Sequence, residues 1–364
     1  MKPTGQPVAS AAQLWRDLGA LLAPAGCAPG PPAAEQSLDW PGIYRLAAAH
    51  LVSPSLYAVL DARGRLDAVP VPVRDALAEL HRLNAARNAR LRAVLHDTVR
   101  LLNAAGIEPL LLKGAIALLP DQYPQAGARM MSDLDLALYN AEAEQGEAVL
   151  RAAGYRDADN VKPAGFRCHH HLAPLFHPNG DAYVELHRSI LTSRAPAAVL
   201  SLAQVRAAAQ PITWMGKRLW VPAPAHRLLH NALHQQVQDD VFRSHRRSLR
   251  QLHEFAQLRA LPTAAAIDWP ELLAPLDALG LGEAVRAYLL ASARLFGQPL
   301  PPSVQPGRAA RRAERRFWFF VAHPRLLPHY NQARRLRNLP RRLITPGWLP
   351  AKMRYLGRQW FPDA

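Results

Sequence analysis

Three carboxylates stand inside apolar runs of the chain. Asp133 and Asp135 lie two residues apart in MMSDLDLAL, and Glu185 lies in AYVELHRSI about fifty residues later. Because side chains alternate along a strand, Asp133 and Asp135 share one face. Two adjacent buried carboxylates raise each other's pKa unless a cation lies between them. Oxygen ligands at this spacing suit Mg²⁺, so the pattern predicts a magnesium site.

A phosphate-binding turn is predicted upstream of the aspartates. Lys113 and Gly114 follow the apolar run PLLL, and free backbone N–H groups at a strand-to-helix turn can receive a phosphate. Arg129 and Ser132 closely precede the aspartates. A D-x-D pair alone is also typical of a strand end on the solvent side, where one aspartate caps the next element. The basic neighbours and Glu185 favour the metal site.

The combined motifs resemble the signature of a known protein family. The stretch LLLKGAIALLPDQYPQAGARMMSDLDLAL, followed by VELH, is similar to the uncharacterised nucleotidyltransferase family within the polymerase-beta-like superfamily. The resemblance extends from about residue 40 to about residue 300. The matching positions are Lys113-Gly114, Tyr123, Gly127-x-Arg129, Asp133-Leu134-Asp135 and Glu185-Leu186-His187.

The resemblance implies a metal-dependent enzyme that uses an NTP. Asp133 and Asp135 would hold two Mg²⁺ ions, and Glu185 would complete one site and deprotonate or orient an acceptor hydroxyl. The ions would stabilise an in-line displacement at the α-phosphate. Ala115 follows the glycine where most of the superfamily has Ser or Gly, so it offers no hydroxyl to a phosphate. The residues expected to bind the nucleotide are Lys113, Gly114, Arg129, Ser132 and His187.

Three sets of histidines admit more than one interpretation. The run His169-His170-His171 follows Cys168 and could bind zinc, but a familiar ligand set is incomplete, so lining the active-site face or meeting phosphate is favoured. His187 either orients a carboxylate or the acceptor, or is a satisfied strand histidine. The third set recurs every four residues, so its members share one face of a helix. The favoured interpretation is that this face packs on the core. This set is His226, His230 and His234.

The elements that position these residues predict an α+β fold. Helical periodicity runs from Trp40 to about residue 105 and returns after about residue 222, with short strand patterns and a Pro-Asn-Gly hairpin turn between. A small mixed-sheet nucleotidyltransferase core flanked by helical regions is expected. The predicted divisions are a helical region at 1–105, a catalytic core at 106–222, a helical domain at 223–300 and an Arg-rich aromatic tail at 301–364.

The charge of the chain favours an anionic partner. The formal net charge is +16, and only five of the 44 basic residues are lysine, so arginine, which suits phosphates, predominates. The two cysteines permit neither a disulfide framework nor a four-cysteine zinc site. No signal peptide and no apolar run long enough for a transmembrane segment is apparent. A cytoplasmic protein is expected, with possible attachment to the inner membrane face.

The tail holds eleven arginines between Arg308 and Arg342 but one acidic residue, Glu314. It could bind RNA through arginine contacts to the phosphates and through stacking of bases on Phe317 and Trp318. It could rest on an anionic membrane surface, or it could be a solvated, partly helical tail. A separate group of arginines could contact a nucleotide or acceptor, or could form a solvated helix face, which is slightly favoured. This group is Arg243, Arg246, Arg247 and Arg250.

The sequence therefore predicts transfer of a nucleoside monophosphate from an NTP to an acceptor hydroxyl on a small molecule, sugar, peptide, protein or RNA. One alternative is a toxin-like transferase that adds nucleotides to tRNA. A second is a non-catalytic nucleotide- or RNA-binding protein, although the three carboxylates favour catalysis. A third is a membrane-associated helper in surface polysaccharide or peptide biosynthesis.

Overall fold

The computed structural model describes residues 9–27, 37–120, 125–158, 166, 169–180, 182–192 and 194–337. Tyr123, Cys168 and the predicted tail beyond residue 337 lie outside the described residues. The helices are α1 (Ala11–Leu22), α2 (Trp40–Ala49), α3 (Ser53–Ala62), α4 (Val71–Ala104), α5 (Lys113–Ile116), α6 (Asn140–Ala152), α7 (Arg194–Val199), α8 (Leu202–Ala207), α9 (Pro224–Leu233), α10 (Val241–Ser244), α11 (Leu249–Ala260), α12 (Trp269–Ala278), α13 (Gly282–Phe296), α14 (Arg308–Ala322) and α15 (Leu326–Arg337).

A mixed sheet forms the centre of the fold. The strands are β1 (Leu110–Leu111), β2 (Asp133–Ala137), β3 (Arg156–Asp157), β4 (Leu175–Phe176), β5 (Tyr183–His187), β6 (Gln210–Trp214) and β7 (Lys217–Val221). Among the described residues they form one sheet in the order β3-β4-β5-β2-β1-β7-β6. Strands β2 and β5 are parallel neighbours, as are β1 and β7, and the other pairs are antiparallel. The prediction of an α+β fold with a small mixed sheet is confirmed.

Alternation along β2 separates its polar and apolar side chains as the sequence predicted. Leu134 and Leu136 are fully buried in a core that lies between the sheet and helices α4 and α6. Asp133 and Asp135 therefore emerge on the other face. The Pro-Asn-Gly hairpin is also confirmed, since β4 and β5 pair antiparallel on either side of it.

A second core joins the N-terminal and C-terminal helical regions. It contains side chains from α1 to α3 together with α9 and α11 to α14, including the fully buried Trp40, Phe255 and Tyr288. Helix α1 packs against α13 and α14. The two helical regions that flank the sheet in sequence thus share one apolar core in space.

The hairpin β6–β7 and the short strand β3 were not anticipated. The turn Met215-Gly216 joins β6 to β7, and both of its residues have positive φ, 49° and 74°. Two central residues with positive φ match the twist of a two-residue hairpin. The sequence signal is weak because methionine rarely occupies this left-handed region. The hairpin extends the sheet beyond β1.

The described part of the Arg-rich segment is helical, and it packs one face of α14 on the protein while most of its arginines are exposed. Its residues Phe317 and Phe320 are buried on the inner face of α14, and Phe317 meets Trp15 edge-on with ring centroids 5.0 Å apart. Glu314, also buried, pairs with Arg247 at 2.5 Å. Phe317 is consequently not exposed for base stacking. Within the described ranges, each helix is too short or too polar to cross a bilayer.

Candidate active site

The parallel pair β2–β5 brings two of the three predicted carboxylates side by side. Their register places Asp135 directly opposite Glu185 and Asp133 opposite Tyr183. Neighbouring strands lie about 4.8 Å apart, so the side chains of an opposed pair on one face can share a ligand. Strand pairing therefore joins residues about fifty positions apart in the sequence.

Asp135 is the most deeply held of the carboxylates, with 1% of its surface exposed. Its Oδ1 accepts hydrogen bonds from Lys113 Nζ and from His187 Nε2, each at 2.7 Å. Burial alone would raise the pKa of Asp135, but the charge of Lys113 and the hydrogen bond from His187 hold it well below its usual range. Asp135 is thus an anion whose charge is already partly balanced by protein cations.

Glu185 completes a compact cluster with Asp135 and His187. Its Oε2 lies 3.5 Å from His187 Nε2 and 3.7 Å from His171 Nε2. One ligand atom from each of Asp135, Glu185 and His187 falls within 4.8 Å of the others. The two carboxylates suit a divalent cation, while His187, whose Nε2 donates to Asp135, would orient them rather than supply a ligand. The residues present therefore fit a metal ion, provided that Lys113 yields its place beside Asp135.

Asp133 stands at the mouth of this cluster. It is half-buried, and its Oδ1 accepts a hydrogen bond from the exposed Ser132 hydroxyl at 3.1 Å. It lines the same cleft as Asp135 but does not belong to the compact cluster. A cation shared by the two aspartates would draw the Asp133 side chain inward.

The Lys113-Gly114 turn has an unusual backbone. Lys113 has a φ of 44°, in the left-handed region that few side-chain-bearing residues adopt. This turn aims Nζ at Asp135 across the strand. A Cβ on Gly114 would overlap the Arg129 guanidinium, so glycine is required for this close approach.

Arg129, predicted to meet the triphosphate, is held inside the wall of the cleft. Its Nη2 pairs with Glu254 Oε2 of α11 at 2.9 Å, and the residue is 7% exposed. Its backbone oxygen accepts hydrogen bonds from Asn84 and Asn88 of α4, at 3.0 and 2.9 Å. Helix α4 and helix α11 thus fix the loop that leads into β2.

The cleft opposite the carboxylates is closed by α9 and α11. The space between them is about 980 Å³, part of which is continuous with bulk solvent. The three histidines at four-residue spacing, His226, His230 and His234, line it. They face the site across the cleft rather than serving only as packing on the core.

His230 has a polar atom with no partner inside this cleft. The residue is 7% exposed, and its Nε2 lacks a hydrogen-bond partner among the described residues. Burial, with the positive charge of Lys113, lowers the pKa of His230 well below its usual value. His230 therefore presents a neutral imidazole to whatever fills the cleft.

The remaining arginines divide between surface and cleft. Arg243 and Arg246 are exposed, as the favoured interpretation held. Arg247 is buried against Glu314, and Arg250 lines the cleft and donates to the Met130 carbonyl oxygen at 2.8 Å. The solvated-face prediction is therefore wrong for these last two.

Glu254 and Asn231 also belong to this site, although the sequence did not predict it. Glu254 anchors Arg129, and Asn231 lines the cleft while its Oδ1 accepts a hydrogen bond from Tyr288 at 3.0 Å. Both belong to helices far from the motif in the chain. In the sequence they appear only as polar residues on otherwise apolar helix faces. That pattern does not show which residues they contact.

The histidine run lies on the other side of His187. The ring centroids of His170 and His171 are each 5.2 Å from that of His187. The run therefore adjoins the carboxylate cluster, but its three histidines are not among the residues that line the cleft.

Comparison with known proteins identifies one family. The model of a family described as uncharacterised nucleotidyltransferase matches residues 36–297. This match covers more than half of the 364 residues and agrees with the span of the resemblance seen in the sequence. Neither a curated protein nor a solved structure matches the chain.

Proposed function

The chain belongs to the uncharacterised nucleotidyltransferase family, and we propose that it moves a nucleoside monophosphate from an NTP to an acceptor hydroxyl with Mg²⁺. The observation that carries the proposal is the opposition of Asp135 and Glu185 on parallel strands beside Lys113. Together they would combine a cation site with a basic group in one cleft.

Asp133, Asp135 and Glu185 are the proposed metal ligands. Two bound Mg²⁺ ions would supply charge stabilisation for the attacking and leaving oxygens. His187 donates to Asp135 and lies against Glu185, so it would orient both carboxylates in their ligand positions. Glu185 is half-buried and faces the cluster, where it could also accept the proton of the acceptor hydroxyl.

Lys113 would change partners when the nucleotide binds. Its ammonium pairs with Asp135. A metal cation on Asp135 would displace the ammonium by charge repulsion and free it for the triphosphate, whose negative charge it would then balance. Ser132 and the Gly114 amide are the further proposed phosphate contacts, while Arg129 would act through its charge on the cleft wall.

The wall formed by α9 and α11 would hold the base or the acceptor. His230 and Asn231 present neutral polar atoms there, and Arg250 adds a positive charge. A phosphorylated or otherwise anionic acceptor suits this balance. The exposed arginines of α14, such as Arg311 and Arg315, are where an RNA or an anionic membrane surface would lie. A cytoplasmic location accompanies the proposal because NTPs are its substrate.

Transfer of label distinguishes this reaction from others that use an NTP. Wild-type protein would be incubated with Mg²⁺, a cell extract as the acceptor source, and NTPs labelled at either the α- or the γ-phosphate. Label from the α-phosphate should enter the acceptor fraction and label from the γ-phosphate should leave as pyrophosphate. Nuclease treatment of the product then tells whether the acceptor is RNA.

The control for this assay removes one carboxylate at a time. Glu185→Gln should abolish incorporation, whereas Glu144→Gln, at a carboxylate that is 69% exposed on α6, should leave it unchanged. Incorporation of γ-label, or equal incorporation by both variants, would refute nucleotidyl transfer at these residues.

A further inference from the structure

Three consecutive histidines converge on one point beside the active site. The ring centroids of His169, His170 and His171 lie 4.2 to 4.6 Å from one another. Consecutive side chains of an extended strand point to opposite faces, so this convergence requires a bent backbone. The chain does bend at His169 and His170 before His171 forms a single bridge to His187.

The bend is fixed by hydrogen bonds to the end of β5. The His170 carbonyl oxygen accepts from the backbone N–H groups of Arg188 and Ser189, at 2.8 and 3.1 Å. Leu172 N donates to Leu186 O at 2.9 Å. The three rings are thus carried by a backbone that the sheet itself holds in place.

The ring nitrogens are arranged as metal ligands are. His171 Nδ1 lies 2.6 Å from the Leu172 carbonyl oxygen, which can only accept, so Nδ1 carries the proton and Nε2 keeps its lone pair. His170 Nδ1 lies 3.3 Å from Thr192 Oγ1. His169 Nδ1 is buried without a partner among the described residues. One ligand atom from each ring falls within 4.8 Å of the other two.

The residues packed around the three rings are also compatible with a metal site. The Phe166 ring packs against His169 and His171, with centroids 5.4 Å away in both cases, and shields them from water. Glu185 Oε2 is an anionic oxygen 3.7 Å from His171 Nε2.

We propose that His169, His170 and His171 form a binding site for a divalent transition-metal ion of the Zn²⁺ class, separate from the carboxylate site. Imidazole nitrogens select such ions over Mg²⁺, which prefers oxygen ligands. Three nitrogens leave a position open, and the Glu185 carboxylate is within a small side-chain movement of it.

Such an ion would make Glu185 a link between two sites. A carboxylate held from one side by the ion and from the other by His187 loses rotational freedom, and this would fix the orientation in which Glu185 faces Asp135. The histidine site can nevertheless be tested without nucleotide transfer, so failure of the proposed reaction would not decide it.

Binding of Co²⁺ is the direct test, because this ion replaces Zn²⁺ and absorbs visible light when nitrogen ligands bind it. Chelator-treated wild type in excess Mg²⁺ would be titrated with Co²⁺, followed by competition with Zn²⁺. We expect a visible band that saturates at one equivalent and disappears when Zn²⁺ is added. The Asp133→Asn/Asp135→Asn variant should retain the band, whatever its effect on nucleotide binding.

Matched double variants locate the ion. His169→Asn/His170→Asn should weaken Co²⁺ binding by about 100-fold or more. His323→Asn/His329→Asn, which also removes two histidines but from an exposed surface, should bind as wild type does. Equal binding by the two variants, or no saturable band in wild type, would overturn the proposal.

A measurement without substitutions guards against a variant that fails to fold. Diethyl pyrocarbonate modifies accessible imidazoles, and mass spectrometry of the peptide that contains the run reports the extent. Zn²⁺ should protect His169 and His170 in wild type while His329 stays reactive. Modification of the run at the same rate with and without Zn²⁺ would equally overturn the site.

Discussion

Asp135 and Lys113 form a close ion pair in the lining of the cleft. The pair joins Oδ1 and Nζ at 2.7 Å, with 2% of the Asp135 side chain and 27% of the Lys113 side chain exposed. A buried carboxylate that loses its cation is strongly destabilised. Lys113 therefore serves as the counter-ion of Asp135, and under the proposed function a metal ion would compete with it for this carboxylate.

Replacement of this lysine should couple stability to Mg²⁺. Lys113→Met should lower the free energy of unfolding by about 2 to 4 kcal/mol without Mg²⁺, because His187 alone then balances Asp135. Added Mg²⁺ should restore more stability to this variant than to wild type, since no ammonium competes for the site. Urea unfolding with and without Mg²⁺ measures both effects.

The control for this prediction is Lys217→Met, at a lysine on β7 outside the cleft. It should respond to Mg²⁺ as wild type does. If Lys113→Met gained no more from Mg²⁺ than wild type, competition between the ammonium and a metal ion for Asp135 would be excluded.

A buried histidine in α11 should make the fold sensitive to acid. Burial lowers the pKa of His253 to about 4, whereas an unfolded chain would take up the proton near 6.5. Between these values the unfolded state binds the extra proton, so the free energy of unfolding falls as pH falls, by about 1.4 kcal/mol per pH unit. His253→Gln should flatten this slope between pH 6.5 and 4.

Denaturant unfolding at several pH values measures that slope directly. The comparison is His323→Gln, at an exposed histidine, which should keep the wild-type slope. A His253→Gln slope equal to that of wild type would show that this ring is not held neutral in the folded protein.

At the scale of elements, α9 is the helix that gives the cleft its second wall. His230 lies in it and lines the cleft, and its Nε2 has no hydrogen-bond partner among the described residues. His230→Ala should reduce NTP or acceptor affinity about tenfold, equivalent to about 1.4 kcal/mol, while leaving the Mg²⁺ response of stability unchanged. Calorimetry with His329→Ala as the exposed control separates these effects. Unchanged affinity for both ligands would remove α9 from the binding site.

Helix α14 is joined to the rest of the protein by a buried ion pair. Arg247 Nη2 and Glu314 Oε2 are 2.5 Å apart, and Trp318 Nε1 donates to Glu314 Oε1 at 2.9 Å. Glu314→Ala should destabilise the protein by about 3 to 5 kcal/mol, since Arg247 would be left buried and unpaired. Urea unfolding of Glu314→Ala, of Arg247→Ala and of the double variant measures the coupling between them.

An exposed pair provides the comparison for α14. Glu79→Ala removes a carboxylate that meets Arg82 on the solvent side of α4, and it should cause no resolvable loss of stability. If Glu314→Ala were as mild as Glu79→Ala, the packing of α14 would not depend on this pair.

The sequence predicted individual helices and strands better than it predicted which of them pack against each other. Alternation in β2 correctly placed its leucines in the core, and the Pro-Asn-Gly turn correctly predicted the β4–β5 hairpin. Strand β5 pairs with β2 through contacts that no local pattern specifies. In α14, Ala310, Glu314, Phe317 and Phe320 recur at helical spacing, so the buried face was present as a pattern, but the arginines between them suggested a solvated tail.

At the scale of the whole molecule, the helical regions hold the active-site loop from two sides. Asn84 and Asn88 of α4 bind its backbone, and Glu254 and Arg250 of α11 bind Arg129 and Met130. The motif residues could be found in the sequence because charged side chains inside apolar runs are unusual without a partner or ligand. The residues that support them could not, since Glu254 is 125 positions from Arg129 and only the tertiary fold connects them.

The central claim is that the carboxylates of β2 and β5 bind a nucleotide through a metal. The most direct measurement is calorimetry of each of the four NTPs with and without Mg²⁺, on wild type and on Asp133→Asn/Asp135→Asn. Asp67→Asn/Asp75→Asn, at two exposed aspartates, is the matched control. We predict that at least one NTP binds wild type and the control only with Mg²⁺, and does not bind the active-site variant. Equal binding by all three proteins, or no binding of any NTP to wild type, would contradict the account.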